Sequence, residues 1–196
     1  MNSRAYHHGD LRAALLDQAE RTLRDKGSAA LSLRELAREL GVSHAAPSRH
    51  FKDRRTLLDA LAMAGFDRMT ARLAEADLGP GAAFRDRLTA LARASVEFAL
   101  GEPEMMALML SSKQDSDVLD EVHKAWMRVA APVFATIADG QRAGEVYEGD
   151  VERIALSAFV TVHGVGSLAA AGVVHENEIA QTLDDALNHL IKGLRP

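Results

Sequence analysis

Four side chains able to donate hydrogen bonds, His44, Ser48, Arg49 and His50, cluster around the small pair Ala45-Ala46. Guanidinium, imidazole and hydroxyl donors match the acceptors that base edges and phosphates present, and small neighbours let a backbone lie deep in a major groove. The chemistry suggested is recognition of DNA, with no bond made or broken. Ahead of these residues, Ser32-Leu33-Arg34-Glu35 fits a capping box opening a helix with Leu33, Leu36, Ala37 and Leu40 inward. Gly41-Val42-Ser43 supplies a tight turn, in which glycine takes a positive φ and Val42 plugs the angle between helices. Ser43 suits an N-cap for a second short helix to about Phe51. A helix, a tight turn and a second helix poor in large apolar residues is helix-turn-helix grammar over about 33–52. Val42 and Phe51 read as core plugs, and Leu36, Ala37 and Leu40 as structural.

A second set of residues is soft and apolar. Met105, Met106, Met109, Trp126, Met127, Phe134, Phe159 and His163 gather the polarizable side chains of the C-terminal half. Most such residues fill cores, yet methionines also adapt to the outline of an apolar small molecule. Met105, Met106, Met109, Trp126, Phe134, Phe159 and His163 are therefore the candidate lining of a ligand pocket. An all-α enzyme or carrier using that cavity is the rival reading. His163 has no carboxylate at i±3 or i±4, and Ser157 and Thr161 have no histidine or carboxylate one turn away to act as base, so no catalytic residue is expected. Gly164-Val165-Gly166-Ser167-Leu168-Ala169 matches the dinucleotide pattern GxGxxA but follows no strand, so it reads as close helix packing. His7, His8 and Asp10 lack paired-ligand spacing, and neither a metal nor a cofactor is expected. Arg4, on the same arm, is a candidate DNA contact. Asp115-Ser116-Asp117, with Asp120 and Glu121, reads as the acidic start of a helix.

The elements that must position these residues are helical throughout, and the fold class is all-α. A first helix spans about Asp10 to Lys26, with Leu11, Leu15, Ala19 and Leu23 on one stripe and Gly27 as its stop. Asp53 caps a longer helix with Leu57, Leu58, Leu61, Gly65, Met69 and Leu73 in register. Gly79-Pro80-Gly81 is a loop, and Pro80 or its neighbour starts a helix with Phe84, Leu88, Leu91, Ser95 and Phe98. After Gly101-Glu102-Pro103 come a short Met-rich helix and a long one from about Asp117 to Gln141, kinked at Pro132. Gly144 to Gly149 breaks the chain again. The segment Asp150 to Ala171 is apolar on most of its circumference, and Ile179, Leu183, Leu187, Leu190 and Leu194 form the seam of the last helix. Both read as interface helices. No internal repeat is present.

The run Leu31-Ser32-Leu33-Arg34-Glu35-Leu36-Ala37, then Leu40-Gly41-Val42-Ser43, Arg49-His50-Phe51-Lys52 and Leu57-Leu58, resembles the TetR family of bacterial transcriptional regulators over residues 7 to 67. Tyr6-His7-His8-Gly9-Asp10-Leu11-Arg12 is similar to one branch of it. Phe159-Val160-Thr161-Val162-His163-Gly164 is similar to the Trp-x-x-x-His-Gly signature of a ligand domain of that family, with Phe159 where Trp is usual. The resemblance implies that Arg34 and the amide end of the second helix touch phosphate, and Ser32 is a further candidate DNA contact. It implies that His44, Ala45 and Ala46 face bases while Ser43, Ser48, His50, Lys52 and Arg54 hold the DNA backbone. Ser48 stands where the family usually has a phosphate-binding tyrosine, and Pro47 falls within the expected second helix, which it should shorten or distort.

At 196 residues, 47% hydrophobic and 26% charged, the composition is that of a globular protein with one or two domains. Zero cysteines exclude disulfides, thiolate metal sites and cysteine catalysis. No run of 18 or more apolar residues occurs and the N-terminus has no apolar stretch, so the expectation is no membrane partner, no signal peptide and a place in the cell interior. The net charge of −5 hides an asymmetry: residues 1–60 carry eleven Lys and Arg against eight Asp and Glu, and the remainder twelve against twenty. A basic head and an acidic body have different electrostatic tasks.

The expected organisation is a DNA-binding domain over 7–76 and a helical ligand-binding and dimerisation domain over 80–196. The expected function is a homodimeric, cytoplasmic and nucleoid-associated repressor. Its partners would be double-stranded DNA with a pseudo-palindromic operator, a small apolar ligand, and a second copy docked through about 150–171 and 177–194.

Overall fold

The computed structural model describes residues 8–115 and 119–196. Arg4, Tyr6, His7, Ser116 and Asp117 lie outside them, as do the side chains of His8, Asp10 and Asp115. Among the described residues there are eight α-helices and no strand: α1 (His8–Lys26), α2 (Leu33–Glu39), α3 (Arg54–Ala76), α4 (Phe84–Gly101), α5 (Pro103–Asp115), α6 (Leu119–Arg142), α7 (Val151–Ala170) and α8 (Ile179–Gly193). The all-α expectation holds, and the chain divides into two compact units. One comprises the chain to Gly65 with Glu104–His123, the other Phe66–Pro103 with Lys124–Pro196.

In the first unit, Leu11, Leu15, Ala19 and Leu23 form the buried stripe of α1, joined by Leu31, Leu36, Ala37, Phe51, Leu57, Leu61 and Ala62. Gly27, at φ +75°, ends α1 as a residue with a Cβ would do only under strain. At Gly65 an added Cβ would lie 2.7 Å from Met105 Sδ and 2.8 Å from Met109 Sδ, so the missing side chain is the notch that lets α5 sit on α3.

In the second unit α4, α7 and α8 pack together. One cluster holds Phe84, Leu88, Ile137, Val146, Ile154, Ala155, Ala158, Ile191 and Leu194. A second holds Ala92, Val96, Val165, Leu183 and Leu187. Asp150 caps α7, accepting from the amides of Glu152 at 2.9 Å and Arg153 at 3.4 Å. The Gly164-Val165-Gly166 run lies inside α7, where Gly166 faces Ala99 of α4, as close packing requires. By length and composition α7 is also the one helix among the described residues that could cross a membrane, a property shared by core helices of its size.

Three local expectations are corrected. Pro80 lies in the loop, and α4 starts at Phe84 with Ala83 as its cap. Ser32 is the N-cap of α2 in extended conformation but makes no side-chain cap bond. Glu35, the other half of the expected box, is taken by Arg38 one turn on, and that charge-assisted bond holds its carboxyl below the usual range. The third correction concerns the residues after Ser43.

Candidate nucleic-acid interface

The expected helix from Ser43 to Phe51 is a run of tight turns, helical only as a 3₁₀ segment at Pro47–Arg49. Its amide bonds run from Ala46 to the Ser43 carbonyl at 2.9 Å, Arg49 to Ala46 at 3.3 Å and His50 to Pro47 at 2.9 Å, and Phe51 closes the run with one i→i−4 bond to Pro47 at 2.9 Å. An α-helical register would need Pro47 to donate to Ser43, and proline has no amide proton. The i→i−3 pattern skips that donor. Before the segment, Gly41 turns the chain at φ +66°, and Val42 donates to the Ala37 carbonyl at 3.0 Å. After it, Asp53 caps α3, accepting from the Thr56 amide at 2.8 Å and hydroxyl at 3.0 Å. Those bonds, the amide first, hold its carboxyl below the usual range.

Burial sorts this segment by role. Pro47 is buried beneath it and Phe51 closes it off, the ring of Phe51 lying 5.3 Å under the Arg12 guanidinium. Ser43, His44, Ala45, Ser48, Arg49 and Lys52 are exposed, as are Ser32 and Arg34, while Ala46 and His50 are half-buried. The Nε2 atom of His50 is enclosed without a hydrogen-bond partner. Arg54 is engaged within the protein: its Nε donates to the Leu31 carbonyl at 2.9 Å and its Nη2 to the Ser28 carbonyl at 2.6 Å. Serine, histidine and arginine donors thus share one exposed turn with a small-residue gap and flanking cations. Such a surface can hydrogen-bond bases and phosphates, and it holds no nucleophile with a base to activate it.

The residues expected to line a ligand pocket fall into both units. Met105 and Met109 are buried in the first, against the Gly65 notch, and Met106 is half-buried on the same helix. In the second, Trp126 meets Phe159 edge-on at 4.7 Å, and Phe159 stacks on His163 at 5.4 Å. Phe134 packs against the cluster around Phe84 and Ile137. His163 Nε2 lies 3.2 Å from Ser167 Oγ, a partner one helical turn away that the search for a base beside Ser157 and Thr161 passed over. Among the described residues no three His, Asp or Glu are grouped for a metal ion.

Sequence reasoning also missed Arg87. It is only 5% exposed yet meets Asp77 (2.6 Å) and Asp139 (2.6 Å). Its Nη2 makes a second bond to Asp77 at 2.9 Å. The bond from Arg87 holds the Asp77 carboxyl below its usual range. The available signal was an arginine at the inward position three residues after Phe84.

Comparison with known proteins agrees with this geometry. The family model described as bacterial regulatory proteins, tetR family, matches residues 15–61. That described as the tetracyclin repressor-like C-terminal domain matches residues 88–194. The chain is similar to the HTH-type transcriptional regulator BetI of Rhizobium meliloti strain 1021, 30% identical over 182 residues that cover 91% of this chain and 89% of that protein. A solved structure of a protein of unknown function from Rhodococcus sp. RHA1 is 43% identical with a TM-score of 0.88, covering 99% of this chain and all of that one (100%). The TetR family transcriptional regulator PfmR from Thermus thermophilus shares the fold, at 18% identity and a TM-score of 0.69 over 93% of this chain and 99% of that one.

Proposed function

The chain belongs to the TetR family, a DNA-binding transcriptional regulator and not an enzyme, and from that premise we propose that it is a homodimeric repressor released from its operator by a small apolar ligand. The carrying observation is the exposed turn 43–49, whose donors His44, Ser48 and Arg49 are exposed while Pro47 and the following Phe51 are buried. His44, Ala45 and Ala46 face base edges, and Arg34, Ser43, Ser48 and Lys52 hold phosphates. Ser32, exposed at the start of α2, is a further DNA contact.

Dimerisation through about 150–171 and 177–194 is supported by a stripe on α7. Leu156 (59% exposed), Val160 (60%) and Leu168 (49%) recur at four-residue multiples, with Gly164 between them. Such large aliphatic residues on one exposed helix face suit a two-fold contact. Two reading turns related by that axis reach successive major grooves when about 34 Å apart, or a multiple of it. A ligand that prefers another separation lowers DNA affinity by population shift, typically by ~1–3 kcal/mol. The Trp126-Phe159-His163 array with Ser167, all within the second unit, is where that ligand is recognised. The protein acts in the cytoplasm, on the nucleoid. The test is light scattering of the free protein and a titration of fragments selected from genomic DNA: a dimer binding a pseudo-palindrome is the expected result, and a monomer without sequence preference would overturn the reading.

A further inference from the structure

We propose that Arg54 is a positioning residue of the reading head: its guanidinium closes the segment 31–54 into a ring and does not serve as a phosphate contact. The proposal rests on the reading turn 43–49 described above.

Two arginines, Arg54 and Arg55, open α3, and the first turn of α3 holds no acidic residue. Cations at a helix N-terminus oppose the macrodipole, and the Asp53 cap offsets part of that opposition. Arg54 makes two bonds of its own. Its side chain reaches back 23 residues to the Leu31 carbonyl and 26 to the Ser28 carbonyl. Both acceptors belong to the turn between α1 and α2, and Leu31 itself is buried. α2 starts two residues later, at Leu33. The covalent path from Leu31 therefore runs through α2, the Gly41 turn, the 3₁₀ segment and Asp53, and Arg54 ties its end to its beginning.

A closed ring restricts the angle between α2 and the reading turn in a way an open chain does not. That restriction matters more here than in a longer reading element, because the 3₁₀ segment spans only Pro47–Arg49 and its own bonds hold little. The fork of the guanidinium is what the two carbonyls demand: two donors on one rigid plane, where a lysine ammonium would offer a point charge on a flexible stem. Ser48 and Arg49 then meet DNA in one orientation without having to be ordered at each encounter.

The experiment compares the full-length protein with Arg54→Lys, Arg54→Met and, as a phosphate-contact control, Lys52→Met. The probes are the strongest fragment selected from genomic DNA and a scrambled duplex of the same length. Affinity is measured by fluorescence anisotropy across a salt series, and amide hydrogen exchange of residues 28–33 by mass spectrometry. A phosphate contact contributes about 0.9 to the slope of log K against log[salt]. We expect Arg54→Met to lose at least about tenfold in operator affinity at unchanged slope, Arg54→Lys to behave like Arg54→Met, and both to exchange faster at 28–33; Lys52→Met should lower the slope. A slope lowered by about 0.9 in Arg54→Met and restored in Arg54→Lys, with exchange unchanged, would overturn the proposal. If no fragment is selected at all, the exchange arm decides: unchanged protection in a folded Arg54→Lys refutes the ring, and increased exchange upholds it while the operator reading fails.

Discussion

Replacing Arg87 by methionine isolates the buried charge network that ties α4 to Asp77 and to Asp139 of α6. Methionine keeps the length of the stem and removes the shared cation, leaving Asp77 the Gly79 amide and Asp139 the Arg142 guanidinium as remaining partners. Breaking a fully buried ion pair from one side costs ~3–5 kcal/mol. Here Arg87 is 5% exposed but Asp77 and Asp139 keep 20% and 26% of their side-chain surface in solvent, so water recovers part of the loss. About 2–3 kcal/mol should remain. For a chain of this size each kcal/mol shifts the melting temperature by about 2–4 °C, giving a drop of roughly 4–12 °C. Circular dichroism at 222 nm through a thermal ramp at pH 7 reads it directly. The pH dependence supplies the second arm. The Asp77 carboxyl is held below its usual range by the Arg87 bond, so its stabilising share is complete above the unfolded value of about 3.9 and is lost as pH falls through the depressed one. The gap between wild type and Arg87→Met should therefore narrow in acid. A melting temperature within about 1 °C of wild type at pH 7, or a gap that stays constant into acid, would mean that these ion pairs do not hold α4 in place.

Further outcomes follow from packing. Val160→Asp, on the exposed stripe of α7, should convert dimer to monomer in light scattering with little change in helicity; an intact dimer would place the interface elsewhere. Gly65→Ala pushes a Cβ into Met105 and Met109 and should cost ~1–3 kcal/mol of overpacking in urea unfolding. Gly41→Ala meets open space but must hold φ near +66°, so its cost in the same assay is backbone strain of roughly 1–2 kcal/mol. Phe51→Ala empties the plug under the reading turn and should cost ~3–5 kcal/mol, with hydrogen exchange over 43–50 rising before the rest of the unit.

What was legible in the sequence was local or repetitive. The stripe Leu11, Leu15, Ala19 and Leu23 predicts one buried face because 3.6-residue periodicity puts those side chains in line. Gly27 and Gly41 mark turns because both adopt a positive φ. That Pro47 shortens the helix after Ser43 was legible in its absent amide proton, whereas the extent, a 3₁₀ segment of Pro47–Arg49 alone, was not. The capping box failed because Glu35 had two suitors, and Arg38 offered a charged donor where Ser32 offered a neutral amide. The roles of Arg54 and Arg87 were hidden because their partners lie 23 and 26 residues away for Arg54 and 10 and 52 for Arg87, and no periodicity reports such pairings. The partner of His163 is a hydroxyl and not a carboxylate, Ser167 one turn along its own helix, and serines at that spacing are too common to signal a pairing. Methionines carry no directional signal, and Met105 and Met109 look alike whether they line a pocket or fill the Gly65 notch.

If the exposed turn 43–49 reads DNA, Arg49→Ala must remove the reading and leave the fold intact. Fluorescence anisotropy of wild type and variant, on the selected operator fragment and its scrambled counterpart across a salt series, separates base reading from phosphate attraction. The expected outcome is a wild-type preference for the operator that falls with salt, and an Arg49→Ala variant that melts as wild type does but binds both duplexes alike. An Arg49→Ala protein that keeps the operator preference, or a wild type that binds neither duplex in a salt-dependent way, would show that this turn is not the reading head.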